Sequence, residues 1–447
     1  KQGKSMQKSG GCQEVSARRK HQEIGPKVAL VLLCVVQGCE RFAFLAMLPL
    51  FVLYLHHRHA FTEPSALLLL GVMSALSYVG GLPAGILADR KLGALGALLL
   101  GGALLTVGYG ALALDHPSLL WPALAAMTVG HSLFKPSIST LFGSLFDVAD
   151  VRRERSFLWQ HLAVNLAGMV GPLCGEWLRV GNRWDRLFLL SAVVMCIGCA
   201  VLVAFARVLP DQPPQRIETA SLDGSVRMNR ERWIAVCWLC GLSIVFWLTA
   251  QQAGGSLSVF ADSHTQRSAV VLARTIPIGP GHFAALHGLQ VLLLLPLLMA
   301  GMSWLRRRSK EPSALAKMVW GYVATAGGFV VLAFAGLKGG DAGRVSPVWL
   351  TGCYLLLSVA ELLLSPLGLS LVTRIAPPHR TAQAVGLWFA AAAVGNALAG
   401  VIGLAWGRWP HHRYFAFLAL LSIGAAALLF SRLRRIKRAL HANTASH

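Results

Sequence analysis

Twelve apolar stretches alternate with short polar breaks along the chain. They lie at 28–55, 65–88, 94–114, 118–146, 157–178, 187–206, 233–260, 283–304, 314–336, 347–373, 382–406 and 414–430. A helix needs roughly 20 apolar residues to cross the hydrocarbon core of a bilayer, and each stretch is of that order. Lipid offers the backbone no hydrogen-bond partners, so such a stretch satisfies them internally as a helix. The pattern predicts an all-α membrane protein with 12 transmembrane helices. An even number of crossings puts both termini on one side.

The polar breaks divide the chain further. Residues 1–27 read as a basic tail, 28–208 as an N-terminal six-helix bundle, and 209–232 as a linker running through Asp211-Gln-Pro-Pro-Gln-Arg216. Residues 233–430 read as a C-terminal six-helix bundle and 431–447 as a second basic tail. Two six-helix bundles with both termini on the linker side match the major facilitator fold, whose related halves rock about a site at the bilayer midplane.

Composition narrows the class. Of 447 residues 55% are hydrophobic and 13% charged, about half the charged share of a soluble domain. That excludes an ordinary soluble enzyme, a disordered chain and a disulfide scaffold. Basic residues outnumber acidic ones by 41 to 19, a net charge of +22. The terminal side of the predicted topology carries 29 of them and the opposite side 10, with Arg41 and Lys135 inside stretches. Basic residues favour the cytoplasmic side, which assigns both termini there. The excess charge is thus a topology signal and a contact for the lipid bilayer's anionic headgroups. No basic–aromatic face accompanies it, so no nucleic-acid partner is expected. No cleavable signal peptide is expected either, and the predicted location is a multi-pass protein of the cell inner membrane.

Cys196-Ile-Gly-Cys199 and Cys237-Trp-Leu-Cys240 have the spacing of a zinc site but lie within apolar stretches. Buried, inert thiols are expected there, and no metal. Gly81-Leu-Pro-Ala-Gly85 and Gly168-Met-Val-Gly171 are small-residue spacings suited to close helix packing. Between stretches two and three, Gly85-Ile-Leu-Ala-Asp89-Arg90-Lys91-Leu-Gly93 resembles the major facilitator loop motif G-x-L-x-D-R-x-x-G. An acid beside two bases at a helix end is placed to anchor neighbouring helices.

A charge at the centre of a membrane helix costs roughly 2.5–3.5 kcal/mol on insertion scales, so each one needs a partner or a task. Glu40, Arg41, Lys135 and Glu361 lie well inside stretches. Adjacent on a helix, Glu40 and Arg41 point about 100° apart and are expected to reach other helices. Lys135 and Glu361 lie in opposite halves, and a bridge between them would form in one access state and break in the other. His131, His161 and His287 occupy polar positions in or at the ends of stretches, where imidazoles can relay protons or simply hydrogen-bond. His56-His57-Arg58-His59 reads as a hydrated outer edge.

Five stretches, in order, resemble the proton-dependent oligopeptide transporter family. Gln37-Gly-Cys-Glu40-Arg41-Phe42-Ala-Phe44 is similar to E-x-x-E-R-F-x-Y-Y, and Phe134-Lys135-Pro136-Ser137 to F-K-P-N. Val164-Asn165-Leu166-Ala167 is similar to I-N-L-G. Phe246-Trp247-Leu-Thr-Ala-Gln251-Gln252-Ala-Gly is similar to F-W-x-x-x-E-Q-A-G, and Ala360-Glu361-Leu-Leu-Leu-Ser365-Pro366-Leu-Gly368 to G-E-x-x-x-S-P-x-G. The resemblance implies a symporter of di- and tripeptides or related small solutes, with protons as the coupling ion and no other cofactor. Glu40, Arg41, Lys135 and Glu361 would serve proton coupling, the last two as a cytoplasmic-side gate. Asn165, Trp247, Gln251, Phe44, His287 and Ser365 would line the substrate pocket. The linker is too short for the two extra helices of many bacterial relatives.

Departures from the pattern concentrate on charge. Gln37 and Gln251 stand where the family has acids, Phe44 and Leu45 where it has tyrosines, and Leu48 where a base holds the peptide carboxylate. His287 stands at a position that is usually Asn. Losing the base at Leu48 together with the acid at Gln251 avoids a stranded buried charge. The outer side would then close by apolar packing and amide bonds. Two alternatives remain open: a carrier of another drug or metabolite with altered coupling, and a non-transporting sensor on the same fold. No nucleophile–base pair or metal spacing indicates an enzyme.

Overall fold

The computed structural model describes the backbone of residues 6–145, 151–209, 226–271, 274–376 and 380–441. Side chains are described for 27–145, 159–207, 209, 230–268, 277–376, 380 and 383–432. Most of the expected linker, the ends of both tails and the loop at 146–150 lie outside these residues.

Each apolar stretch is helical over most of its described length, and the seventh breaks at Gly254–Gly255. The helices are α1 (Met6–His59), α2 (Glu63–Val79), α3 (Gly81–Leu87), α4 (Gly93–Ala113), α5 (Leu120–Ser144), α6 (Val151–Leu178) and α7 (Trp184–Ala204). The second half comprises α8 (Val226–Ala250), α9 (Ser256–Ser263), α10 (Pro280–Arg307), α11 (Ala314–Gly339), α12 (Pro347–Ile375), α13 (Thr381–Gly403) and α14 (His411–His441). Among the described residues, nine helical segments are long and apolar enough to cross a membrane, one of them running from α2 through α4. The chain is a multi-pass integral membrane protein. Helix starts follow local chemistry: the Thr62 hydroxyl accepts the Ser65 N–H at α2, and Ser313 accepts the Ala316 N–H at α11.

Packing is densest within α1–α7 and within α8–α14, and the two sets meet along α2 against α13 and α6 against α10. Glycine makes both seams possible. A Cβ at Gly71 of α2 would stand 2.6 Å from the Gly400 Cα of α13, and one at Gly288 of α10 would stand 2.9 Å from the Gly168 backbone of α6. We expect Gly71→Leu to cost about 1–3 kcal/mol by overpacking. A lowered thermal midpoint of the purified protein checks this, and an unchanged one would show the seam to be slack.

Several local expectations are corrected. Gly81 and Gly85 face open space rather than a neighbouring helix, whereas Gly171 packs on the Phe42 carbonyl as a small-residue contact should. The Asp89 motif forms a π-helical turn, Ala88–Leu92, closed by Gly93 at φ 68°, a backbone that only glycine adopts freely. Asp89, Arg90 and Lys91 are all exposed, and among the described residues no ion pair anchors Asp89. Cys240 is buried, but Cys196 and Cys237 are exposed, and all described cysteines are free. A two-stranded antiparallel hairpin, β1 (Ser268–Val271) with β2 (Arg274–Pro277), joins α9 to α10. The apolar count passes over it because each strand has only four residues.

In the α10–α11 turn, Glu311 accepts hydrogen bonds from Arg306 and Lys317, which pull its carboxyl down to about 2. The contact is therefore complete above the usual carboxylate range and is lost only as pH falls toward 2.

Candidate functional site

A central cavity of about 420 Å³ lies between the two helix sets. Its wall includes Arg41, Phe44, His131, Lys135, Asn165 and Tyr78 from the first set. Trp247, Gln251, His287, Glu361, Ser365 and Asn396 face them from the second. All ten residues singled out from the sequence belong to this wall except Glu40, which lies directly behind it.

Glu40 is buried at 1% exposure. Arg41 Nε donates to Glu40 Oε2 at 2.5 Å while Nη2 donates to Oε1, so the adjacent pair does meet. The expectation that each reaches only another helix is corrected: the three methylenes of arginine let the guanidinium curl back along its own helix. Glu40 also accepts from Gln37 Nε2 at 3.2 Å, and its Oε1 stands 3.0 Å from His131 Nδ1 on α5. That last approach is poorly aligned, and neither His131 nitrogen has a hydrogen bond of good geometry. Gln160 of α6 donates to Gln37 at 3.4 Å, tying the cluster to a third helix.

Lys135 lies one turn after His131 on α5. Its Nζ stands 4.6 Å from the Tyr78 ring centroid and 5.7 Å from that of Phe44, within cation–π range. Among the described residues no ion pair joins it to Glu361. Glu361 instead faces His287, whose Nε2 lies 2.9 Å from its Oε2. The His287 Nδ1 is 2.7 Å from Ser358 Oγ, and that hydroxyl also reaches the Tyr354 carbonyl at 2.8 Å. The gate pair expected from the sequence is thus apart in this state, and each member has another partner.

The remaining pocket residues divide by what they leave free. The Trp247 indole N–H is buried and has no hydrogen-bond partner among the described residues. Asn165 turns its amide back to the His161 carbonyl at 2.9 Å. Gln251 donates to Ser74 of α2 at 2.9 Å, an amide bond across the two helix sets. Leu48 packs on Gly254, where an added Cβ would meet Leu48 Cγ at 2.7 Å. Both Leu48 and Gln251 line the cavity, so this part of the wall carries no charge.

Charge also closes the end that the basic-residue count assigns to the outside. Arg179 at the end of α6 pairs with Glu176 at 2.6 Å and reaches across to Asp262 of α9 at 3.3 Å. Arg267 holds the other Asp262 oxygen at 3.0 Å, and Glu176 accepts the Gly281 N–H of α10 at 2.8 Å. The Trp406 indole donates to Glu63 of α2 at 2.8 Å. Closure by apolar packing and amides alone is corrected: an ion network spans the seam as well. The sequence signal was available in Glu176 and Arg179, spaced i,i+3 at a helix end, but their partner lies 83 residues away. Toward the other end of the cavity the Glu361 side chain is 38% exposed.

Two helical sets facing each other across a charged cavity, latched at one end, define a membrane transporter of the major facilitator type. The POT family model matches residues 95–222 and 224–405, and the chain belongs to that family. It is 27% identical over 441 residues to the peptide transporter YePEPT of Yersinia enterocolitica, covering 81% of this chain and 85% of that protein. It is likewise 27% identical to the dipeptide and tripeptide permease A of Klebsiella pneumoniae, covering 84% and 83%. Its fold superposes with a TM-score of 0.84 on a POT family transporter in complex with 5-aminolevulinic acid. Identity there is 22%, and 91% of this chain and 96% of that one are covered. A peptide transporter POT variant in complex with alafosfalin gives 0.82 at 26% identity, covering 92% and 95%.

Proposed function

We propose that this protein carries di- and tripeptides, or small solutes of that shape, into the cell with protons, by alternating access. The observation that carries the reading is the cavity itself. Lys135 and Glu361 face it from opposite sides without meeting each other, while Arg179 and Asp262 bridge the far end of the same seam. A carrier open to one side has one end latched and the pair at the other end apart. Membership of the POT family and likeness to named peptide transporters supply the solute class. Glu361 is placed to take a solute ammonium, and Lys135 to take an acidic or carbonyl group. The coupling role of Glu40 and Arg41 rests on their burial beside this cavity.

Labelled dialanine is expected to accumulate in proteoliposomes only under an inward proton gradient. Equilibration without accumulation would show coupling lost, and no entry into vesicles holding folded protein would reject the peptide reading. Leu48 against Gly254 favours a second reading, a solute lacking a terminal carboxylate. C-terminally amidated dialanine that competes as well as dialanine itself would support it.

A further inference from the structure

We infer that His287 is the proton-operated switch of the inner end: its imidazole, when doubly protonated, takes Glu361 from Lys135 and so opens the cavity inward. This rests on the alternating-access reading above. Its readout does not depend on which solute is carried.

The hydrogen-bond inventory of the ring points to this role. To bond Glu361, Nε2 must carry a proton, because a carboxylate only accepts. Nδ1 then has two options. As a bare nitrogen it accepts the Ser358 O–H at 2.7 Å. As an N–H it donates to Ser358 Oγ, and the hydroxyl proton turns to the Tyr354 carbonyl at 2.8 Å or to Gln290 Oε1 at 3.3 Å. The ring therefore holds one proton or two without stranding a polar atom. With a side chain 22% exposed to the cavity, it is also open to water.

The charges around the ring decide the direction. Glu361, Tyr354 and Ser358 face it from α12, and Gln290 lies on its own helix. His161 of α6 is near enough to act on Glu361, and Lys135 and Arg41 line the same cavity from α5 and α1. One carboxylate is thus shared between two bases, Lys135 and His287. Of the two, the imidazole is the base whose ordinary charge change falls between about pH 5 and 8. A neutral ring yields Glu361 to Lys135 and the inner end closes. One proton from the outer water onto Nδ1 makes an imidazolium, which competes for Glu361. That is the arrangement in the structure, with Lys135 left over the Tyr78 and Phe44 rings. Release of the same proton to the less acidic interior returns Glu361 to Lys135. Titration can thus sit on a histidine where Gln37 and Gln251 have replaced carboxyls.

The test places a spin-label pair across the inner ends of the two helix sets in a cysteine-replaced background. The distance is then followed against pH in the purified full-length protein. In the wild type the open distance should gain population as pH falls. His287→Asn should move the midpoint down by at least about one unit, tenfold in proton affinity, leaving Glu361 itself as the titrating group. Ser358→Ala keeps the imidazole and its bond to Glu361, so it should move the midpoint the same way by less, and it serves if His287→Asn does not fold. An unmoved midpoint in either folded variant, or a wild-type distance indifferent to pH, overturns the inference. Wild-type vesicles that fail to take up dialanine would count against the peptide reading alone.

Discussion

Lys135→Ala is expected to abolish gradient-driven accumulation while leaving the protein folded. In the state described here Lys135 has no carboxylate partner, only the faces of Tyr78 and Phe44. Its removal therefore deletes little that holds this state together. The inner-closed state is different, because there Glu361 would lie buried without its cation. Breaking a buried pair on one side costs about 3–5 kcal/mol. A few kcal/mol is enough to depopulate one access state almost completely, since roughly 5.5 kcal/mol spans the range from 1:99 to 99:1. Accumulation should fall by about two orders of magnitude or more, with the thermal midpoint within a degree or two of wild type. Uptake into proteoliposomes beside a melting curve checks both. Normal accumulation in the variant would remove Lys135 from the gate.

Arg179→Ala should have the opposite conformational effect and a comparable size. Arg179 is shared between Glu176, 2.6 Å away, and Asp262, 3.3 Å away across the seam. Both acids are largely buried, at 8% and 4% exposure. Arg267 and the Gly281 N–H partly compensate them, so the loss belongs toward the lower end of the 3–5 kcal/mol seen when a buried pair is broken. That loss falls only on the state in which the outer end is shut. The variant should populate outer-open conformations, read as a lengthened spin-label distance between the ends of α6 and α9. A distance distribution identical to wild type would mean that the glycine seams alone hold this end closed. Asp262→Asn gives a milder version of the same shift, because Arg179 keeps Glu176.

The two variants pull on opposite ends of one seam, and this explains how a cavity rimmed by few charges can serve a carrier. The uncharged Leu48 and Gln251 do not leave the outer side without electrostatic closure. The latch sits on Glu176, Arg179, Asp262 and Arg267, while Leu48 packs on Gly254. The pocket keeps its charged and titratable groups at Lys135, His287 and Glu361, while Leu48 adds apolar surface.

The apolar stretches, and with them the helical segments and their order, were legible in the sequence, because lipid permits no other outcome for a long apolar run. The residues of the cavity wall were legible too, as charges and amides where hydrocarbon tolerates neither without a reason. Which of them touch was decided only by tertiary structure. Arg41 folds back on Glu40 because a flexible side chain has a choice of partners that helix geometry does not settle. Glu361 meets His287 rather than Lys135 because the crossing of α10 and α12, and the access state, set the distances. Arg179 finds Asp262 because glycines bring α6 and α10 together, a packing event between residues far apart in the chain. Local hydrophobicity is a property of each segment alone, whereas a partner is a property of two segments and the angle between them.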